Sequence, residues 1–329
     1  MAASRSHLAK TPRQTTKNTK SRSTKNRKAT SRSSRISYQA RYRRKRPMLR
    51  ALVPIALIVV VLVTFVIIKG TDGSSTATPT ASKVVAGRTG SIASITGATP
   101  LPAGVLSDTT SVSPATLAAI GLSNTSAALT STGIKKTLIA SDDKPEVLFI
   151  SAEYCPFCAA QRWPLVIALS RFGSFNGLSA THSSTNDVYP DTKTLSFYGS
   201  TYTSSDLNFT SVELQTNQVS GNSYTTLQTP TSAEKAILSK YDAAPFTSQP
   251  GSIPFLDVAN KYVSIGSGYT PQLLQGLSLK QIASQLNNKD SPVATAIDGE
   301  ANRIVAAITA ATGAKPLAGT DASASLSGS

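Results

Sequence analysis

Both cysteines of this 329-residue chain lie in one tetrapeptide, Cys155-Pro156-Phe157-Cys158. Just upstream, Glu146-Val147-Leu148-Phe149-Ile150-Ser151 is a short continuous apolar run, the pattern of a strand buried on both faces. Downstream, a helical stretch opens at Pro156, runs to Phe172 and is closed by Gly173. A cysteine at a helix N-terminus meets unpaired backbone N–H groups and the positive end of the helix dipole, and both stabilise a thiolate. Cys155 therefore reads as a nucleophile. Cys158, one helical turn on, lies under it and can attack a mixed disulfide to release the bound partner. Pro156 suits the first helical position. The chemistry is thiol–disulfide exchange, which calls for no cofactor. A disulfide closing only two intervening residues adds little by loop closure, so stability is a weak reason for the pair.

Other cysteine chemistries fit poorly. A disulfide-stapled scaffold needs several pairs closing long loops. A structural zinc site usually needs four Cys/His ligands, and besides the two cysteines the chain has only His7 and His182. His182 lies in the polar run Thr181–Asp187 and reads as a surface histidine. No metal is expected.

The elements that must hold this pair come late in the chain. Of 33 Lys and Arg residues, 17 fall in residues 1–50, which contain no acid; the remainder holds 16 basic and 17 acidic side chains, a net of −1. The molecule is thus a near-neutral protein with a basic arm, which argues against a nucleic-acid-binding fold spread over its length. Residues 1–48 have the composition of a disordered arm. Ala51 to Ile68 is an uncharged run of 18 residues, about 27 Å as a helix, enough for a bilayer core. Its long basic flank and the lack of a small-residue cleavage site favour an uncleaved signal anchor over residues 49–69 rather than a signal peptide. The excess of positive charge at residues 41–50 keeps the arm cytoplasmic and places the remainder outside the cytoplasm. The arm also suits anionic lipid beside the span.

Residues 70–112, rich in Gly, Ser, Thr, Ala and Pro, read as a flexible linker. A globular domain is expected over residues 113–312 and a disordered tail over 313–329. Within the domain, strands are expected at 134–140, 146–151, 194–202 and 207–215, and a hairpin at 253–258 and 261–265. Helices are expected from Ser113-Pro114, at 232–241, from a capping box at Ser278, and from Ser291-Pro292. That order is α/β with a mixed sheet.

Four local features together resemble the thioredoxin superfamily: the strand–turn–helix bearing Cys-Pro-x-Cys, Tyr154 just before it, Pro164 inside the helix, and Ser252-Ile253-Pro254-Phe255 opening a strand hairpin. The resemblance implies a thioredoxin-like mixed sheet with helices on both faces, and an insertion between the Cys-Pro-x-Cys helix and the proline hairpin. It implies a cis peptide before Pro254, with Ile253, Pro254, Tyr154, Pro156 and Phe157 around the substrate. More narrowly, residues 151–164 with Leu169-Ser170-Arg171-Phe172-Gly173 resemble a membrane-anchored thioredoxin-like family, the domain of unknown function 929, over roughly residues 110–312.

Two departures stand out. Phe149 occupies the place where thioredoxins keep a buried acid six residues before the first cysteine; Glu153 is the nearest acid, and reads as an exposed loop residue. Phe157 cannot donate a hydrogen bond to the thiolate as a histidine there could, which implies a milder oxidant. The resulting expectation is a membrane-anchored extracytoplasmic oxidoreductase acting on exported thiol- or disulfide-containing proteins, recharged by a membrane redox partner. Its rival is a redox-inactive binding module tethered to the membrane.

Overall fold

A computed structural model describes residues 98–122 and 129–316. The basic arm, the apolar run at 49–69, residues 70–97 of the linker and residues 317–329 of the tail lie outside the described residues. In chain order the elements are β1 (Thr99–Pro100), α1 (Val105–Thr110), α2 (Pro114–Ile120), β2 (Thr130–Ser131), β3 (Glu146–Ser151), α3 (Pro156–Leu169), β4 (Ser174–Asn176), β5 (Ser179–His182), β6 (Lys193–Ser196), β7 (Thr201–Thr203), β8 (Asn208–Glu213), β9 (Gln215–Ser220) and β10 (Ser223–Thr226). They continue with α4 (Ser232–Tyr241), β11 (Phe255–Val258), β12 (Tyr262–Ile265), a 3-10 turn at Pro271–Leu274, α5 (Leu279–Ala283) and α6 (Pro292–Thr312).

The central sheet is mixed, with strand order β2-β12-β11-β3-β8. Strand β3 runs parallel to β8 and antiparallel to β11, with Phe255 opposite Ile150 and Val258 opposite Val147. Residues 147–151 of β3 are all buried, as a strand covered on both faces requires. Alternate side chains divide between two cores. Val147, Phe149, Leu256 and Val258 join the large core with α3 and α6, while Leu148, Ile150, Val212 and Phe255 pack with Tyr241 and Ile237 of α4. The fold is a mixed α/β fold with helices on both faces of its sheet.

Helix α3 is buried from end to end apart from Phe157. A helix apolar all round must be enclosed on every side, and the sequence PFCAAQRWPLVIAL has no polar face. Pro164 inside it cannot donate to the carbonyl of Ala160; the Tyr269 hydroxyl donates there instead, at 2.7 Å. Trp163 and Phe172 are core residues, 0% and 1% exposed. Gly173 closes the turn in a space that admits no side chain: a Cβ there would lie 2.3 Å from the carbonyl oxygen of Thr203.

Several expectations are corrected. The domain start that composition places near 113 lies earlier: Val105 and Val112 are buried in the large core, and the Arg171 guanidinium donates to the Val112 carbonyl. Small and polar residues at 98–112 conceal this, because the contacts that order them come from far along the chain. Residues 134–140 form no strand, only a bridge between Ile139 and Pro145. The single strand expected over 194–202 is two, β6 paired with β5 and β7 paired with β4, separated by Gly199 at φ 77°. Strand β8 lies beside β3 and parallel to it. Helix α6 ends at Thr312, with Gly313 left-handed as its cap.

Helix α6 buries Asp298 completely, and neither carboxylate oxygen has a hydrogen-bond partner among the described residues. Burial pushes its pKa up to about 8, against the opposing pull of Arg171. An acid whose folded pKa exceeds its unfolded value, near 4, holds its proton more tightly when folded. Its contribution is full below about pH 4 and is lost as pH rises toward 8. Urea melts at pH 5 and pH 8 should therefore show a decline in stability of about 3–4 kcal/mol from this group, absent in Asp298→Asn. Parallel profiles for the two proteins would contradict the assignment.

Candidate active site

Strand β3 ends at Ser151, and the chain turns through Ala152-Glu153-Tyr154 into α3. This loop is pinned on both sides: the Leu214 N–H donates to Ser151 and the Glu153 N–H donates to Gln215, at 2.7 and 2.9 Å. Cys155 is the N-cap of α3 and Pro156 its first residue. The Cys155 sulfur accepts from the Cys158 backbone N–H at 3.4 Å and lies 3.9 Å from the Ile253 carbonyl oxygen. The Ile253–Pro254 peptide is cis. Cys155 is 6% exposed and Cys158 is fully enclosed; Tyr154, Leu214 and Ile253 pack around them. The structure thus brings together Tyr154, Cys155, Pro156, Phe157, Cys158, Ile253 and Pro254.

The two thiols are unequal. The Cys158 thiol donates toward Cys155 and holds its pKa below the ordinary cysteine value; burial opposes this, while the N–H groups of Cys158 and Phe157 and the Arg162 charge reinforce it. Burial drives Cys158 the other way, well above the ordinary value, and its role as donor to Cys155 adds to the shift. The two shifts run in opposite directions: Cys155 gives up its proton more readily than an ordinary cysteine, and Cys158 less readily.

Beneath the pair lies a charged group that the sequence conceals. Arg162, one turn beyond Cys158 in an apolar helix, is fully buried and forms a two-pronged ion pair with Glu213 of β8, Nε to Oε1 at 3.1 Å and Nη2 to Oε2 at 2.6 Å. The same Nη2 donates to the Ala152 carbonyl at 3.1 Å, and the Ser151 hydroxyl donates to Glu213 at 2.6 Å. Glu153 is not the exposed loop residue its neighbours in sequence imply. It is 0% exposed, and the Ser196 hydroxyl of β6 donates to its Oε1. Burial raises its pKa, the Arg162 charge pulls it back, and Glu213 raises it further. Protonation of Glu153 leaves one cation and one anion in the cluster, the balance a low-dielectric interior favours. The one signal available in the sequence is Arg162 itself, a charge in a helix without a polar face.

Two aromatic contacts frame the cysteines. Tyr154 stacks on Tyr224 of β10, centroids 4.2 Å apart and planes 2° from parallel. Phe157 meets Tyr189 edge-on at 5.7 Å. His182 ends β5 rather than lying in a loop, is partly exposed, and has Nδ1 3.1 Å from Asp191. Among the described residues no group of three or more His, Cys, Asp or Glu could hold a metal ion, and no helix is long and apolar enough to cross a membrane.

No curated protein and no solved structure matches the chain. A family model described as a domain of unknown function, DUF929, matches residues 131–310, more than half of the chain, from within β2 to within α6 and including the cysteine site. The chain belongs to this family, DUF929.

Proposed function

We propose that the protein is a thioredoxin-like thiol–disulfide oxidoreductase, anchored to the cell membrane through residues 49–69, with its basic arm in the cytoplasm and its folded domain outside. The observation that carries the reading is the placement of two thiols one turn apart: Cys155 caps α3 beside the cis Ile253–Pro254 peptide and accepts from the Cys158 N–H, while Cys158 lies sealed beneath it. The Cys155 thiolate attacks one sulfur of a polypeptide disulfide. That S–S bond breaks, and the leaving sulfur takes a proton to become a thiol. Cys155 is now joined to the polypeptide by a mixed disulfide, and its loss of negative charge removes one of the influences that held Cys158 protonated. Cys158 gives up its proton and attacks the Cys155 sulfur. The mixed disulfide breaks, the second polypeptide thiol leaves, and Cys155–Cys158 is left as a disulfide. Two electrons have passed to the polypeptide, and every step runs in reverse when a dithiol meets the oxidised pair.

The chain has no third cysteine to recharge the pair, so a second redox protein at the membrane is implied. Outside the cytoplasm the polypeptides at hand are exported ones. The basic arm suits the anionic lipid of the inner face. The test is stoichiometric. Reduced full-length protein mixed with one equivalent of 5,5′-dithiobis(2-nitrobenzoate) should release two equivalents of chromophore in two kinetic phases and end as an internal disulfide, whereas adduct formation alone would release one. A stable adduct on either cysteine would sink the exchange reading and leave the tethered binding module in its place.

A further inference from the structure

Two insertions flank the cysteines, and both are built against them. The loop 183–192 is held by the Ser184 N–H, which donates to the Tyr154 carbonyl at 2.8 Å. The hairpin β9–β10 is held by the Tyr154–Tyr224 stack, and the Asn217 side chain ties it to the His182 carbonyl at 2.9 Å. The described residues include five large apolar side chains that stay exposed, and three belong to this neighbourhood. Phe157 is 36% exposed; Val188, next to its partner Tyr189, is 66%; and Val219, opposite Tyr224 in the hairpin register, is 54%. Apolar surface gathered at one place on a fold marks an interaction site more often than scattered single residues do.

The charge around it is as one-sided as the apolarity. Residues 183–192, 215–226 and 249–254 contain no Lys or Arg. Their acids are Asp187, whose charge adds slightly to the burial that raises the Tyr154 phenol, and Asp191, which pairs with Lys193 and His182. Within these segments a small anionic thiol such as glutathione would find no Lys or Arg to receive its carboxylates, and the adjoining Lys193 is already paired with Asp191.

We propose that the aromatic and apolar surface formed by Tyr154, Phe157, Val188, Tyr189, Val219 and Tyr224 selects the substrate: a polypeptide segment whose cysteine is flanked by apolar or aromatic residues, as exposed by a chain not yet folded. This deepens the exchange reading and rests on it. The occupant must bring a sulfur to Cys155, so it is a cysteine-bearing segment, and its side chains must cover apolar surface without offering anions.

The test uses the reduced full chain and three peptides of equal length, each with one cysteine capped as a disulfide with 2-nitro-5-thiobenzoate. The residues flanking cysteine are Phe and Leu in the first, Ser in the second and Glu in the third. Attack by Cys155 on the peptide sulfur breaks the S–S bond and releases the coloured thiolate; Cys158 then displaces the peptide thiol. Rates are normalised to those with dithiothreitol, which removes intrinsic differences between the peptides. The apolar peptide is expected to react about tenfold faster than the Ser peptide, the Glu peptide slowest, and Val188→Ser/Val219→Ser should bring the first ratio to about threefold or less. Equal normalised rates, or an unchanged ratio in the double variant, would overturn the selectivity while leaving exchange intact. Absence of release from every peptide would instead overturn exchange itself.

Discussion

Replacing Cys155 by Ser is expected to reduce disulfide exchange at least about 100-fold, to the uncatalysed background, because the hydroxyl supplies no thiolate and Cys158 is sealed from solvent. Replacing Cys158 by Ala has a different signature. The first attack still occurs, but the mixed disulfide has no internal thiol to resolve it and accumulates. The same variant removes the thiol that donates to Cys155, so the pH midpoint of Cys155 alkylation should rise toward the ordinary cysteine value. Iodoacetamide kinetics across pH, with mass spectrometry of the trapped adduct, check both outcomes. Equal behaviour of the two variants would mean that the thiols are interchangeable, against the asymmetry of their surroundings.

The second large effect lies one layer deeper. Arg162→Met should destabilise the fold by about 3–5 kcal/mol, since it leaves Glu213 buried without its cation. The loss comes chiefly from the charge left unpaired. Arg162→Met/Glu213→Leu, which removes both charges, should therefore recover much of it, and a double-mutant cycle by urea denaturation reads the difference. The Arg162 charge also lowers both cysteines. In the double variant the alkylation midpoint of Cys155 should accordingly stay above that of the unsubstituted protein even where stability is regained. Additive losses in the cycle would show that the ion pair is not the source of the effect.

How much of this could be read from the chain follows from where each residue finds its partners. Strand β3, helix α3, the β11–β12 hairpin and the caps at Thr231, Ser278 and Ser291 rest on local signals: an apolar run, a proline at the first helical position, a hydroxyl three residues before its N–H. The cysteine pair is legible for the same reason, and the cis peptide before Pro254 through the thioredoxin resemblance of Ser252-Ile253-Pro254-Phe255. The hairpin β9–β10 was not. Its sequence, Gln-Thr-Asn-Gln-Val-Ser-Gly-Asn-Ser-Tyr-Thr-Thr, has no apolar alternation, and its position is fixed by Tyr154 from outside.

Glu153 misled for a related reason. A carboxylate in a four-residue connection looks solvated until Ser196 donates to it and the Arg162 charge acts on it, and neither influence leaves a mark in the local sequence. The described N-terminal segment, residues 98–112, has its anchoring partner at Arg171. Local patterning thus places the cysteine pair, while the charged layer beneath it and the apolar rim around it are properties of the assembled fold.

The most direct test of the redox account is a titration of the full chain in glutathione buffers of graded ratio, with free thiols counted by alkylation at each point. The account predicts that Cys155 and Cys158 lose their thiols together, in one two-electron transition of about 30 mV per tenfold change in the equilibrium ratio, with an internal disulfide as product. Two thiols that stay alkylatable in the most oxidising buffer, or that end as separate glutathione adducts, would contradict it.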